Sequence, residues 1–329
     1  MKVIFSHSLP FSLAHGGMQT LIESLMSELT HLGIEVEPER WWDPNQTCDI
    51  MHFVQRPNPG IAQLAKKKRR KLVMTENFDV VASESRSRLF MRTCATRAAR
   101  ALIPSFDRQL SFYRELDAMV YVVPHELDVV RQIYCLHQEK GFIVPHGLMP
   151  SAIEALEASQ SEGDYLVSVG TICPRKNSVL LATCAIKARV PTVFVGKPFS
   201  DDDPYFLQFR SLIDDKYVHF AGYVEEEKKY ELLRRARGFV LLSEGESGCI
   251  AVYEAAAAGL PLLLSELPWA ARGYPPSDRL HMVPIHSVDR IVRQLETFYD
   301  AAHRGRTMTF PVGTWADVAK KYLEIYEQL

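Results

Sequence analysis

The feature that most constrains the fold is a series of short apolar runs, each of strand length, that alternate with segments of helical periodicity. In the first half of the chain these runs are KVIFS (2–6), DIMHFV (49–54), KLVMT (71–75) and AMVYVV (118–123). Segments with apolar residues at helical spacing, such as MQTLIESLMSEL, lie between them. This alternation is typical of parallel sheets whose strands are joined by crossover helices.

The series ends near residue 150 and then starts again. The stretch GFIVPHGLMP (141–150) is rich in Pro and Gly and predicts a linker. A chain of 329 residues suits two domains, so we expect an α/β fold of two doubly wound, Rossmann-like domains, residues 1–150 and 151–312. Residues 313–329 predict an amphipathic helix that closes the chain. The strand candidates of the second series are DYLVSVG (164–170), PTVFVG (191–196), KYVHFAGYV (216–224), GFVLLS (238–243) and PLLLS (261–265).

Composition narrows the class of protein. With 47% hydrophobic and 24% charged residues, the chain is typical of soluble globular proteins. The six cysteines are scattered without a CxxC pair, which argues against zinc ribbons and disulfide frameworks and favours a reducing compartment. We recognise neither a signal peptide nor an apolar run long enough to cross a membrane, so we expect a cytoplasmic protein.

One carboxylate stands out in an apolar segment. Glu254 lies within CIAVYEAAAAG (249–259), among small residues that are typical of burial. An ionised carboxylate there either points to solvent at the helix edge or needs a hydrogen-bonding partner, such as the hydroxyls of a ribose. The segment follows a predicted strand, and doubly wound sheets bind ligands beyond the carboxyl ends of their strands. The Gly- and Ser-containing start of the helix would also present backbone N–H groups to a phosphate.

The same segment resembles a known signature. EGESGCIAVYEAAAAGLPLLLS (244–265) is similar to the nucleotide-sugar signature of retaining glycosyltransferases with the GT-B fold, family four of the usual classification (glycosyltransferase group 1). Other segments, including GGMQTLIESLMSEL, IVPHGL and VGTICPRKNSVLLATCA, resemble further parts of that family in the same order. The resemblance implies two domains that face each other across a cleft, an acceptor domain followed by a nucleotide-sugar domain, with the last helix crossing back to the first. The signature positions are Glu246, Glu254, Ala255, Gly259 and Pro261.

Position by position, the resemblance implies functional roles. Glu246 would contact the hydroxyls of the transferred sugar, and Lys176 would neutralise the leaving diphosphate. Asn77 is the third catalytic candidate, and Glu254 would bind the ribose. No metal and no cofactor are expected, because the nucleotide sugar, such as a UDP- or GDP-sugar, is the substrate. The other expected contacts are Gly248, Cys249 and Ile250 with the pyrophosphate, Tyr223 and Val224 with the base, Gly16 and Gly17 from the first domain, and Thr171 and Arg175 beside Lys176.

The chain departs from the family at informative positions. Thr171 stands where an arginine is usual, and Arg175 and Lys197 are the candidates to replace that charge. Asn77 stands where the family has a histidine, and an amide cannot act as an acid or a base. The leading hypothesis is a retaining, metal-independent hexosyl- or related glycosyltransferase (EC 2.4) of polysaccharide or glycoconjugate biosynthesis. The alternative is a catalytically weak or inactive nucleotide-sugar-binding or scaffold protein of the same fold.

Other enzyme classes fit less well. An epimerase or a phosphorylase of the GT-B fold is a second enzymatic alternative, although the chain lacks a cofactor-lysine signature. A Rossmann oxidoreductase is disfavoured because no GxGxxG follows a predicted strand. His125 follows a predicted strand and is open to two interpretations, a residue of the cleft or a loop histidine with a structural hydrogen bond.

The first domain carries a strong local excess of positive charge. Residues 56–114 contain 14 Lys/Arg and 4 Asp/Glu. This is either a solvated surface or a basic face for anionic lipid headgroups or a phosphate-bearing acceptor. We expect a glycan or lipid-linked acceptor, peripheral contact with the inner membrane face and no nucleic acid, because no nucleic-acid motif is recognisable. The cations at the centre of this region are Lys66, Lys67, Lys68, Arg69, Arg70 and Lys71.

Overall fold

The computed structural model describes residues 1–8, 10–12, 16–76, 81, 83–103, 112–134, 140–158, 163–305 and 307–329. These residues form two compact units. The first unit comprises residues 1–147 and 315–329, and the second unit comprises residues 148–314. Each unit contains a parallel sheet flanked by helices, which confirms the predicted α/β class. Over the described ranges, no helix is both long enough and apolar enough to cross a membrane.

The sheet of the first unit has the strand order β2-β1-β3-β4-β5-β6, and each pair of neighbours is parallel. The central strands β4 and β5 are buried almost throughout, which explains why they read as continuous apolar runs. The strands are β1 (Lys2–His7), β2 (Glu35–Pro38), β3 (Ile50–Val54), β4 (Lys71–Thr75), β5 (Ala118–Tyr121) and β6 (Gly141–Ile143). The helices between them are α1 (Gly17–His31), α2 (Pro59–Lys67), α3 (Arg86–Leu102), α4 (Phe112–Glu115) and α5 (Pro124–Tyr134).

Crossovers from β3 to β6 all advance in one direction across the sheet, whereas the crossover from β1 to β2 advances in the other. Because such connections are right-handed, α1 lies on one face of the sheet and α2 to α5 lie on the opposite face. The C-terminal helix α13 (Trp315–Glu327) packs against α1. Its Tyr326 hydroxyl lies 2.6 Å from Nδ1 of buried His52, and its Tyr322 hydroxyl lies 2.9 Å from the hydroxyl of Thr75. The last helix is therefore joined to the strands of the first unit.

The sheet of the second unit has the order β12-β11-β10-β7-β8-β9 and is also parallel. The strands are β7 (Leu166–Val169), β8 (Thr192–Val195), β9 (Val218–Gly222), β10 (Gly238–Leu241), β11 (Leu262–Ser265) and β12 (Leu280–Val283). The helices are α6 (Pro150–Glu157), α7 (Ser178–Ala188), α8 (Pro204–Arg210), α9 (Glu226–Arg235), α10 (Ile250–Ala257), α11 (Pro268–Ala271) and α12 (Val288–Ala301).

Strand order creates a switch point in the second unit. From β7 the chain moves to β8 and β9 on one side, then returns to β10, which pairs with β7 on the other side. The segments that follow β7 and β10 therefore leave the carboxyl edge of the sheet in opposite directions and open a crevice between them. In doubly wound sheets such a crevice is the usual ligand site.

Three strands escape the sequence patterns, and all three lie at sheet edges. The acidic strand β2 reads EVEP and has no buried residue, and β12 reads LHMV with one buried residue. The strand β6 lies inside the stretch 141–150 that we interpreted as a linker, so that interpretation was wrong for residues 141–143. Edge strands have one neighbour fewer and more contact with water, and they lack the continuous apolar run of a central strand.

Candidate functional site

Two loops meet at the switch point of the second unit. The backbone amide of Glu244, after β10, donates to the carbonyl of Arg175, after β7, at 2.9 Å. The side-chain amide of Asn177 donates to the carbonyl of Leu242 at 2.9 Å. These bonds hold the residues after β7 and β10 side by side at the carboxyl edge of the sheet.

A glycine allows the third loop of this edge to approach closely. Gly196, after β8, has a φ of +142°, and a Cβ there would lie 2.0 Å from the carbonyl oxygen of Gly170. A side chain at position 196 would therefore collide with the backbone of the loop that leads to Lys176.

The facing loops bring two cations to one carboxylate. The Nζ atom of Lys176 lies 2.7 Å from Oε1 of Glu246, and Nη1 of Arg175 lies 2.9 Å from Oε2. Burial raises the pKa of Glu246, but the charges of Lys176 and Arg175 outweigh it, so its pKa is lowered overall. Burial works against the Lys176 ammonium, but neighbouring Cys249 and Glu246 raise its pKa overall. We call these three residues, Arg175, Lys176 and Glu246, the cation cluster; they are charged together at neutral pH.

The helix α10 starts beside the cation cluster. Gly248 has a φ of +66°, which turns the chain into the helix, and Cys249 is the N-cap residue without a side-chain cap. The Sγ atom of Cys249 lies 3.5 Å from Nζ of Lys176. The backbone amide of Cys249 donates a hydrogen bond to the hydroxyl of Tyr274 at 3.0 Å. This amide, which we predicted to contact the pyrophosphate, thus has an acceptor within the protein.

Glu254 lies one turn further along α10, and it is 5% exposed. The solvent-facing alternative for this residue was therefore wrong. Its Oε1 accepts a hydrogen bond from Nζ of Lys229, on α9, at 2.7 Å. Burial raises the pKa of Glu254, and the charge of Lys229 opposes that rise. The lone carboxylate of the Ala-rich segment thus has a cationic partner within the protein.

The remaining predicted residues of the second unit are spread along the same edge. Tyr223, just after β9, is 63% exposed, and the Nζ of Lys197 lies 5.0 Å from its ring centroid. The neighbouring Val224 packs against the core, and Thr171 is half-buried directly after Gly170. Of the two candidates for the missing charge, Arg175 joins Lys176, whereas Lys197 contacts an aromatic ring.

The acidic loop Asp201–Asp203 has a structural role. Asp203 accepts a hydrogen bond from the amide of Tyr205 at 2.8 Å and caps α8. In the parts of the chain that the structure covers, no group of three or more His, Cys, Asp or Glu residues is arranged to hold a metal ion.

Gly16 and Gly17, the predicted glycines of the first unit, lie at the start of helix α1, which follows β1. Gly16 is the N-cap of α1 with a φ of +133°, and both Gly16 and Gly17 are exposed. Asn77 lies outside the described residues. Its neighbour Glu76 is buried, pairs with Arg56 and accepts hydrogen bonds from the hydroxyl of Tyr113 at 2.8 and 2.9 Å. Burial raises the pKa of Glu76.

His125 is a further candidate of the first unit. His125 lies in the first turn of α5 and is only 7% exposed, which places it within the packed part of the first unit.

Lys229 was not singled out in the sequence, because it reads as one of several cations on a charged helix. The signal that could have found it is the unbalanced carboxylate at position 254, which requires a partner.

One family model matches part of the second unit. Residues 152–299 match the family model described as "Glycosyl transferases group 1". No curated protein sequence matches the chain closely enough to count as a relative.

Solved structures extend the likeness to the whole chain. A sucrose-phosphate synthase from Thermosynechococcus elongatus is 15% identical, with a TM-score of 0.70 over 100% of this chain and 99% of that one. Anabaena HepE, solved with UDP and glucose, is 14% identical, with a TM-score of 0.67 over 100% of both chains. AviGT4, a glycosyltransferase involved in avilamycin A biosynthesis, is 16% identical, with a TM-score of 0.63 over 100% of this chain and 97% of that one. The chain thus has the GT-B fold, and its residues 152–299 are similar to the group 1 glycosyltransferases.

Proposed function

We propose that the chain is a retaining glycosyltransferase that moves a sugar from a nucleotide-activated donor to an acceptor without a metal ion. The observation that carries the proposal is the cation cluster, which lies at the switch point beside the start of α10. A nucleotide sugar as the donor is supported by HepE, whose structures contain UDP, glucose and UDP-glucose. The resemblance of the segment around Glu246 and Glu254 to the family signature supports hexosyl transfer and the retaining stereochemistry.

The chemistry of transfer explains why cations belong there. When the bond between the sugar and the diphosphate breaks, negative charge develops on the departing diphosphate. Lys176 and Arg175 are fixed charges that would stabilise it without reorganisation, and the helix dipole of α10 adds to their effect. These cations supply the positive charge that many transferases obtain from a metal ion. Glu246, which pairs with both cations, would accept hydrogen bonds from the sugar hydroxyls.

The alternative of an inactive relative rests on Asn77, which stands where the family has a histidine, and on Thr171, which stands where the family has an arginine. The argument from Thr171 concerns a missing positive charge. The position of Arg175 weakens that argument, because its guanidinium reaches the same carboxylate as Lys176 and restores a second positive charge. We therefore favour an active enzyme, with Arg175 in the role of the missing cation. Glu254 would bind the ribose, with Lys229 keeping it ionised and oriented.

For the acceptor side we propose contact with an anionic membrane. Within the predicted run, Lys66 pairs with Asp117 at 2.7 Å and Arg70 donates to the carbonyl of Cys48, whereas Lys67, Lys68, Arg69 and Lys71 are exposed. The helix α3 adds five arginines and no acidic residue. Its exposed apolar side chains are Phe90 at 65%, Met91 at 61% and Leu102 at 79%. Cations beside exposed apolar groups suit an anionic lipid surface.

Donor binding is the first test. Thermal shifts with UDP, GDP, ADP and dTDP identify the nucleotide, and release of sugar from the corresponding sugar nucleotides measures turnover. We expect binding by the parent and release of sugar that increases with an acceptor. Binding without release under any acceptor condition would support the inactive alternative, and no nucleotide binding would refute both.

Variants assign the residues. Glu254→Ala is expected to weaken nucleotide binding, and Glu246→Ala is expected to impair transfer while largely sparing nucleotide affinity. Glu244→Gln is the matched control, because this exposed carboxylate lies in the same loop and contacts the site only through its backbone. Equal effects of all three changes would contradict the assignment.

Membrane contact has its own test. Co-sedimentation with phosphatidylglycerol vesicles at low salt should detect binding that declines with added salt. The triple variant K67S/K68S/R69S and the double variant F90S/M91S should each reduce it. Absence of binding at low salt would refute this contact without bearing on donor chemistry.

A further inference from the structure

Two adjacent tryptophans of the first unit are left in water. Trp41 is 70% exposed and Trp42 is 83% exposed, whereas the other two tryptophans of the chain, Trp269 and Trp315, are 1% exposed. Burial of a large aromatic side chain contributes several kcal/mol to stability, so an exposed pair is unusual in a folded domain. Large apolar groups left together on a surface indicate a binding surface.

The tryptophans lie on a loop that is held in place from within. Both carboxylates that flank them, Glu37 and Asp43, pair with the guanidinium of Arg40 at 2.8 Å. The side chain of Gln46 accepts from the amide of Arg40 at 2.8 Å and donates to Glu37 at 2.9 Å. This network fixes residues 39–46, which we call the tryptophan loop. A loop that is already ordered loses little conformational entropy on binding, which favours a preformed site.

The tryptophan loop lies at the carboxyl edge of the sheet, the edge at which doubly wound sheets usually bind ligands. It follows β2, which pairs in parallel with β1, so both strands end at the same edge. At its start, the amide of Glu39 donates to the carbonyl of Phe5 at 2.8 Å, and the hydroxyl of Ser6 donates to the carboxylate of Glu39 at 2.5 Å. The segment that leads to Gly16 leaves from the neighbouring strand, about 4.8 Å away.

Charge decides between the possible occupants. Residues 35–49 contain five acidic side chains and one arginine, which disfavours an anionic lipid surface or a phosphate. Carboxylates and indole rings together suit an uncharged carbohydrate. The C–H groups on one face of a pyranose ring pack against an indole, and sugar hydroxyls donate to carboxylates. The basic helix α3, which suits anionic lipid, has the opposite charge.

We propose that Trp41 and Trp42 form a stacking platform for an uncharged oligosaccharide, the acceptor glycan of the transfer reaction. The acceptor assignment rests on the proposed function, whereas carbohydrate binding by the platform stands on the geometry of the first unit alone. Two adjacent indoles would engage neighbouring sugar rings, so the site favours an oligosaccharide over a monosaccharide.

The experiment measures glycan binding by the full chain. The parent is applied to a printed array of uncharged and acidic glycans, and the glycans that bind are titrated in solution with acrylamide present. Because Trp269 and Trp315 are buried, the fluorescence that acrylamide quenches comes from Trp41 and Trp42. Bound oligosaccharide is expected to protect this fluorescence. Each of W41A and W42A should weaken binding roughly tenfold, and the pair of changes more strongly.

Matched variants separate the outcomes. W41F/W42F keeps aromatic rings and should retain most of the binding. F199A removes a ring of the second unit that is 59% exposed and should leave glycan binding unchanged. The proposal is overturned if no uncharged glycan binds the parent, or if the double alanine variant binds as the parent does. Protection of the tryptophans by phosphatidylglycerol vesicles instead of glycans would also overturn it. Binding of UDP, GDP, ADP and dTDP, measured on the same samples, distinguishes the two proposals. If the parent binds none of these nucleotides, the donor function is refuted and the platform is judged on glycans alone.

Discussion

Replacing Lys229 by methionine is expected to leave Glu254 as an unpaired buried carboxylate. The two side chains are 18% and 6% exposed and lie 2.7 Å apart. Removing one member of a buried ion pair typically costs 3–5 kcal/mol, and because water still reaches part of Lys229, we expect about 2–3 kcal/mol. At roughly 2–4 °C per kcal/mol for a unit of this size, the second unit should melt about 5–10 °C lower.

The pH dependence identifies the cause. Burial already raises the pKa of Glu254, and loss of the Lys229 charge removes the influence that opposes this rise. The folded variant then binds the Glu254 proton more tightly than the unfolded chain, so the stability of the variant increases as pH falls below the raised pKa. The deficit relative to the parent should therefore be largest near pH 8 and smaller near pH 5.

Calorimetry of Lys229→Met and of the double variant K229M/E254Q across this pH range provides the measurement. The double variant has no buried charge at either position and should recover much of the lost stability. A deficit that is independent of pH, or that persists in full in the double variant, would refute the ion-pair argument and indicate lost packing of the lysine stem.

Other positions give equally specific expectations. Lys176→Met should lower the rate of sugar transfer at least 100-fold with a smaller change in nucleotide affinity, because in the proposed mechanism the lost charge would act on the departing diphosphate. Steady-state kinetics with the sugar nucleotide that binds check it. Burial lowers the pKa of His52 to about 3, so protonation of this histidine opposes folding. The stability of the first unit should therefore fall as the pH drops below about 6.5, the pKa of histidine in the unfolded chain. In urea unfolding, His52→Gln should reduce this pH dependence. Gly196→Ala should prevent stable folding of the second unit, because its Cβ would lie 2.0 Å from a backbone carbonyl oxygen. Gly222 also has a positive φ but has open space around it, so Gly222→Ala should lower the free energy of unfolding by only about 1–2 kcal/mol. Thermal melting measures both effects.

Much of the fold follows from the sequence because central parallel strands are buried on both faces. Runs such as those of β4 and β10 cannot be polar, and their alternation with helices leaves few topologies. The edge strands β2, β6 and β12 were missed because nothing forces them to be apolar. The helix α13 was predicted from its stripe, but its hydrogen bonds to His52 and Thr75 join residues far apart in the chain, and no local pattern encodes such contacts.

In the candidate site, too, some residues were predicted from local sequence patterns and others depend on how distant elements pack. Glu246 and Glu254 were found because they share one short segment with fixed spacing. Lys229 lies on another helix, and its pairing with Glu254 depends on how α9 and α10 pack. The tryptophan loop was overlooked for a different reason: its order comes from a network around Arg40, whereas sequence patterns report only that Trp41 and Trp42 are apolar.

Glu246 offsets part of the positive charge of the cation cluster. Lys176 is buried, and an unpaired ammonium there would be costly, so Glu246 serves to keep two cations charged and close together before any donor arrives. The cluster retains an excess of one positive charge, which a diphosphate would meet. Loss of Glu246 would therefore remove the proposed ligand of the sugar and would also remove the negative charge that offsets the repulsion between Lys176 and Arg175. Glu254 and Lys229 form a neutral pair, so they leave the excess positive charge of the cation cluster unchanged. We therefore expect Glu254 to govern nucleotide affinity and Glu246, which belongs to the cation cluster, to govern transfer.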